Sequence, residues 1–266
     1  VTVEQLRGYL YDYPAYYDLV YGSDCRAEVQ FFQACIRKHA RRPVRRVFEP
    51  ACGTGRLLLR LAGGGYRVSG NDLCEPAVRY CNRRLARHGF PPTAEIADMA
   101  DFTLPYRADA ALNTIGSFRH LLTEEAATAH LRCMSRVLET GGIYIVGLHL
   151  TPLSGTPLDH ESWSARRGHL AVCTDMRTVR RDCRKRVEVV RTAVDVFTPT
   201  RTRRIVGEMR FRTYTHRQFE RLLGSVPSLR SVATYDFSYD VRRPIQVDPD
   251  TEDVAYVLVK EPSRKR

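Results

Sequence analysis

Arg46–Leu57 reads RVFEPACGTGRL, and this stretch decides the fold. A short apolar run meets a carboxylate and a proline, then a tight Cys-Gly-Thr-Gly turn leading into Leu57, Leu58 and Leu61. Strand, glycine turn and helix in that order begin a βαβ unit. Glycine at such a turn lets the backbone come close to a ligand. A phosphate-binding loop would need G-x-x-x-x-G-K-[ST], and no lysine follows Gly55. A dinucleotide fingerprint would need G-x-G-x-x-G, whereas Ala51, Gly53 and Arg56 fill those places. Glu49 just upstream would repel a pyrophosphate but suits a cofactor with a cationic centre. The turn therefore predicts a small nucleoside-type ligand passing over Gly53.

The same rhythm continues on both sides. Helical spacing of Val29, Phe32, Cys35 and Ile36 predicts a helix over 25–40, closed by Pro43. After the glycine turn, Gly63-Gly64-Gly65 stops the helix, and YRVSGND makes a second strand ending on Asp72. A helix with Pro76 near its start runs to Gly89. AEIADM and ADAALNT are the third and fourth strands. TEEAATAHLRCMSRVLETGG is a helix capped by Thr123 and ended by its glycine pair, and IYIVGLHL is an apolar fifth strand. Strands alternating with helices give a mostly parallel sheet with helices on both faces. Residues 151–160 read as loop. HLAVCTDMRTV, KRVEVVRTAVDVFT and TRRIVGEMRFRTY are then β-runs with no helix between them, which predicts an antiparallel insertion. The helix THRQFERLLG and two neighbouring antiparallel strands, LRSVATYDFSY and VAYVLVK, complete the pattern, and the tail PSRKR is expected to fray.

VFEPACGTGRL resembles motif I of the class I S-adenosylmethionine-dependent methyltransferases: two hydrophobic residues, an acidic one, then three alternating glycines. Glu49 takes the acidic place, and Ala51, Gly53 and Gly55 take the glycine places, with alanine departing from the pattern. SGNDLCEPAV is similar to the second motif, with Asp72 gripping the ribose hydroxyls and Leu73 beside it. ADM resembles the third, where Asp98 would meet the adenine amino group and Met99 its ring. ALNTIGSFRHLL and LETGGIYIVGLH resemble the fourth motif and the hairpin leading to the fifth strand. The resemblance covers the chain apart from the insertion and parts of the N-terminus. It implies a Rossmann-like α/β fold: a seven-stranded mostly parallel sheet, helices on both faces, the last strand antiparallel, and an antiparallel β insertion after the fifth strand. It also implies S-adenosyl-L-methionine as cofactor, S-adenosyl-L-homocysteine as product and methyl transfer as the reaction.

Within that frame the segments read as an N-terminal helical lid (1–42), a cofactor-binding core (43–150), a β insertion serving as pocket roof or dimer contact (151–213), and the completion of the core (214–266). The lid, YDYPAYYDLVYG, carries five tyrosines in twelve residues. The resemblance points to Tyr17 over the cofactor, with Tyr13 and Tyr21 as pocket candidates, and Asp18 is read as a cap or bridge. Asn113 ends the fourth strand, where both cofactor and acceptor meet. NTIG lacks the proline pair and aromatic typical of relatives that methylate bases or protein amides. His120 is the general-base candidate and His149 a second catalytic or substrate contact. Scattered cysteines without C-x-x-C, and histidines without clustering, give no metal site.

The net charge of +12 favours an anionic partner, and 166–212 holds fourteen arginines or lysines against five acidic residues. That ribbon has few aromatics for base stacking. The leading expectation is methyl transfer to a nitrogen or oxygen of a small molecule. The rivals are an RNA methyltransferase gripping the backbone with the insertion, and a non-catalytic scaffold keeping the fold. A homodimer through the insertion is a further expectation. With no apolar run of membrane-spanning length and no signal-peptide pattern in VTVEQLRGYLYDYPAYYDLVYG, no membrane partner and a cytoplasmic location are expected.

Overall fold

The computed structural model describes residues 3–22, 24–154, 157 and 159–262. The N-terminal segment forms β1 (Val3–Leu6), a 3-10 turn at Leu10–Asp12, α1 (Pro14–Gly22) and α2 (Arg26–His39). The core follows as β2 (Arg46–Pro50), α3 (Arg56–Gly63), β3 (Arg67–Asp72), α4 (Glu75–Arg87), β4 (Ala94–Ile96), β5 (Ala108–Asn113), α5 (Glu124–Val137) and β6 (Leu138–His149). Four long strands come next: β7 (His160–Arg167), β8 (Leu170–Asp182), β9 (Val187–Phe197) and β10 (Thr202–Arg212). The chain closes with α6 (His216–Gly224), β11 (Leu229–Tyr235) and β12 (Asp253–Lys260).

A seven-stranded sheet runs β11-β12-β6-β5-β2-β3-β4, and β12 lies antiparallel to both its neighbours. The insertion leaves after β6, the fifth strand of this sheet in chain order, as expected. Alternate residues of the central strands face opposite layers. Phe48, Tyr144 and Val146 pack with Leu131 and Met134 of α5 and Phe219 and Leu222 of α6. Val47, Ile143 and Ile145 pack with Phe32 of α2, Leu57 and Leu61 of α3 and Leu85 of α4. Burial on both faces explains why these strands read as continuous apolar runs.

The second sheet runs β1-β10-β9-β8-β7. Its inner face, with Val172, Val194, Val196 and Ile205, packs on Leu10, Leu19 and Val20 of the N-terminal segment. Two of its strands escaped the sequence reading. β7 begins at His160, inside the stretch read as loop plus an unassigned run, and Val3–Leu6 joins β10 in parallel register. Neither has a strong apolar alternation, because each is an edge strand with mostly exposed side chains. The glycine pair also does not end α5. Leu138 is already extended, and Gly141-Gly142 lies in the start of β6, where a Cβ on Gly142 would fall 2.5 Å from the Asp109 carbonyl oxygen. The fraying expected of the tail concerns 262–266, of which 263–266 lie outside the described residues.

Candidate active site

The β2–α3 loop takes its shape from three left-handed residues: Ala51 (φ 53°), Gly53 (φ 53°) and Gly55 (φ 69°). Gly55 is required twice over, since a Cβ there would also sit 2.3 Å from Cys81 Sγ on α4. Ala51 is different: its one extra methyl is held in a conformation that costs an L-residue roughly 1–2 kcal/mol. The loop is pinned to the next strand end. The Gly53 and Cys74 amides donate to the two oxygens of Asp72, each at 2.8 Å. Burial raises the Asp72 pKa, opposed by those amides and that of Leu73.

Behind the loop lies a small cavity of about 30 Å³ lined by Tyr17, Glu49, Thr54, Arg56 and Asn113 among others. Several of its polar atoms are buried without a partner: Glu49 Oε2, Asn113 Oδ1 and Thr54 Oγ1. Asn113 Nδ2 donates to the Pro50 carbonyl at 3.2 Å, so its oxygen is the end left over. Burial drives the Glu49 pKa well up, against the pull of Arg56. An orphaned carboxylate and amide oxygen aimed into one cavity ask for a cationic or N–H-bearing ligand. Arg56 forms a buried bidentate pair with Glu28 of α2, and Glu28 also accepts from Thr114 Oγ1 at 2.8 Å. Burial works against the Arg56 charge, but the bond to Glu28 and the charges of Glu28 and Glu49 hold its pKa above the usual value. Glu28, Thr54 and Arg56 were not among the sequence candidates. The signal for Arg56 was present, as the arginine standing in a glycine place of the dinucleotide pattern. Glu28 offered none, being a helix residue that reaches the site only through packing.

Of the other cofactor candidates, Tyr17 lies against the loop, with its ring 3.7 Å from where a Gly53 Cβ would be. Burial, the largest cause, lifts its pKa to about 12. Leu73 is 68% exposed beside Asp72. Asp98 is exposed, with Oδ1 accepting from the Ala100 amide at 2.8 Å, while the Met99 side chain is buried in the α5-side core. The Met99 carbonyl is held by His130 Nδ1 at 2.8 Å, and His130 Nε2 meets Tyr144 Oη at 2.8 Å. Complete burial lowers His130 to about 4, so it is neutral, donating from Nδ1 and accepting the tyrosine hydroxyl.

Tyr17, Ile115 and Ser117 also line a second, larger concavity of about 400 Å³ between the two sheets. The insertion supplies Trp163, Met176, Met209 and Phe211, and the N-terminal segment Tyr11 and Tyr21. In charge it is the opposite of the whole protein. Five carboxylates line it (Asp159, Glu161, Glu188, Glu252, Asp253) against two arginines, Arg119 and Arg181. Arg119 makes a buried pair with Glu188, and Arg181 bonds both Glu188 and Asp159.

Both histidine candidates face this cleft, in different states. His120 opens to the cleft yet is crowded by Tyr11 and Phe211, with ring centroids at 5.9 and 4.7 Å. That crowding, then the Arg119 charge, lowers its pKa to about 4. Its Nε2 is 3.2 Å from Tyr11 Oη, whose burial keeps the phenol protonated, so the hydroxyl donates and occupies the lone pair. His149 Nδ1 instead lies 2.6 Å from Asp253 Oδ1, and no described group bonds its Nε2. Asp253 lies more than a hundred residues from His149 and meets it through the β6–β12 register.

A family model described as a methyltransferase domain matches residues 47–142. The Bacillus subtilis protein YqeM, provisionally named a methyltransferase, is 29% identical over 105 residues, which are 39% of this chain and 42% of that protein. The chain thus spans under half the length of the curated relative it matches. Among solved structures, a S-adenosylmethionine-dependent methyltransferase from Clostridium acetobutylicum superposes with TM-score 0.76 at 16% identity, over 93% of this chain and 97% of that one. The chain has the class I S-adenosylmethionine-dependent methyltransferase fold. The same fold is shared by the sugar N-methyltransferase KedS8 from Streptoalloteichus (TM-score 0.73, 19% identity, 98% and 97% covered). It is shared too by the S-adenosylmethionine-bound amino pentose methyltransferase CalS10 from Micromonospora echinaspora (TM-score 0.71, 19% identity, 97% and 100% covered). The chemistry of the donor set matches S-adenosylmethionine: its ammonium could meet the orphaned Glu49 and Asn113 oxygens, and its ribose diol could meet Asp72. Among the described residues no group of three or more His, Cys, Asp or Glu side chains could hold a metal, and no helix is long and apolar enough to cross a membrane.

Proposed function

We propose that the protein is a S-adenosylmethionine-dependent methyltransferase that methylates an amino nitrogen on a small, sugar-sized acceptor. The observation that carries this reading is the acidic cleft opening onto the cofactor loop in a chain of net charge +12. Carboxylates in such a cleft draw in a cationic amine and would gain nothing from an anionic acceptor. Tyr21 and Trp163, with ring centroids 5.6 Å apart, offer flat apolar walls of the kind a sugar ring stacks on. The names of KedS8 and CalS10 point to the same acceptor class.

The bound cofactor supplies a methyl group on a cationic sulfur. Glu49 and Asn113 orient the cofactor's amino-acid end, and Asp72 holds its ribose. An ammonium must lose its proton before its lone pair can attack. His149, its Nδ1–H held by Asp253, presents an Nε2, bonded by no described group, to take that proton. Neutral His120, filled by the Tyr11 hydroxyl, positions rather than accepts. The cleft walls would fix the in-line approach of the acceptor.

The insertion's charges weigh against the RNA reading. Arg181, Arg186, Arg191, Arg203, Arg204 and Arg212 all sit in ion pairs within the protein. The intact loop with its orphaned acceptors weighs against a scaffold. The test combines calorimetric titration with S-adenosylmethionine and an assay on paired sugars bearing an amine or a hydroxyl at one carbon. Asp72→Ala should weaken cofactor binding by about 1.5–3 kcal/mol, the worth of charge-assisted hydrogen bonds. Asp253→Asn should cut kcat and leave cofactor affinity unchanged. Preferential methylation of the hydroxyl sugar would overturn the nitrogen assignment, and failure of the folded protein to bind the cofactor would overturn the enzyme reading.

A further inference from the structure

The positive charge that the cleft lacks is collected elsewhere. A groove of about 420 Å³ lies where α3, α4 and β7 meet, and it shares no lining residue with the cofactor cavity or the cleft. Arg60, Arg83, Arg84, Arg87 and Arg167 line it, with His88 at its end and Asp18 as its one acid. Tyr80, Arg83, Arg84 and Arg87 follow i, i+3, i+4, i+7 spacing, so α4 presents one basic face to the groove. Asp18 is buried at 1% exposure and is already engaged. It pairs with Arg84, accepts from Tyr80 Oη at 3.3 Å, and lies 3.4 Å from Arg167 Nη1. Arg60, Arg83 and Arg87 have no carboxylate partner among the described residues. Like charges at i, i+4, such as Arg83 and Arg87, disfavour the bare helix.

One carboxylate cannot neutralise five guanidinium groups, and all five line one concave groove. Guanidinium forks match phosphate oxygens in geometry and charge. We propose that this groove binds a diphosphate group, either free or carried on a nucleotide. Its size suits a compact dianion or trianion and not an extended nucleic-acid strand, for which the groove also lacks a series of stacking aromatics.

The test is calorimetric titration with inorganic pyrophosphate, ADP and a single-stranded oligoribonucleotide, without S-adenosylmethionine, so that its outcome is independent of the methyl-transfer reading. Pyrophosphate and ADP should both bind, less tightly as salt rises. Arg83→Ala/Arg87→Ala should weaken them about tenfold or more, given the strength of bonds to charged groups. Arg184→Ala/Lys185→Ala, an equal charge loss at the exposed β8–β9 turn, should leave both unchanged. ADP binding tighter than pyrophosphate would mark the nucleotide-borne group as the ligand, and equal binding the free one. Equal losses in the two double variants, no binding by the folded protein, or tighter binding of the oligoribonucleotide would each overturn the proposal.

Discussion

The cleft and the arginine groove have nearly the same volume, about 400 and 420 Å³, yet they handle charge in opposite ways. In the cleft, charges from distant elements interlock. Glu188 of β9 ties Arg119, which follows β5, to Arg181 of β8, and Arg119 further donates to the Arg212 carbonyl at 3.1 Å. In the groove, among the described residues, only Arg84 and Arg167 meet an acid, while the remaining arginines extend from two helices into water. A net charge therefore describes neither site. What matters is which charges the fold pairs and which it leaves open.

The contrast predicts a graded series of effects. Glu188→Ala leaves the buried Arg119 guanidinium without its acid, while Arg181 keeps Asp159, and should cost about 3–5 kcal/mol, the range for breaking a buried pair. Denaturant midpoints would report it, and a loss below about 1 kcal/mol would mean that packing, not charge, holds the cleft together.

The next effect is pH-dependent. His130 under the Asp98–Met99 turn titrates near 4 in the fold and near 6.5 when unfolded, so the unfolded chain binds more protons between those values. Its stabilising contribution is complete above pH 6.5 and is lost as pH falls through about 4. The loss amounts to about 3 kcal/mol. His130→Gln should flatten that part of a stability–pH curve, and an unchanged curve would place the acid sensitivity elsewhere.

Ala51→Gly should raise stability by about 1 kcal/mol, because release of the left-handed strain exceeds the entropic cost of glycine. A fall in Tm would mean that the alanine methyl packs usefully against the core. Smallest of all, Arg87→Ala should change stability by less than about 0.5 kcal/mol, as an exposed charge without a partner contributes little.

The core strands and their helices were legible because both faces of the sheet are buried and the helices carry one apolar stripe each. Gly53, Gly55 and Asp72 were legible because a tight turn and a strand end restrict residue type. β1 and β7 were not, since edge strands with exposed side chains carry no period. Along the chain His120 read as the general-base candidate and His149 as a second catalytic or substrate contact. The Tyr11 hydroxyl on one and Asp253 on the other set them apart, and both partners arrive by tertiary contact.

The sequence by itself determined the α/β order, the tight glycine turn after β2 and the existence of a β insertion, all of which follow from local periodicity and backbone sterics. The tertiary structure alone decided how that insertion's arginines are paired, that the cleft is acidic, and that the open positive charge gathers between α3, α4 and β7. Electrostatic pairing depends on distance in space, and residues such as Asp18 and Arg167, 149 positions apart, meet only once both sheets have formed.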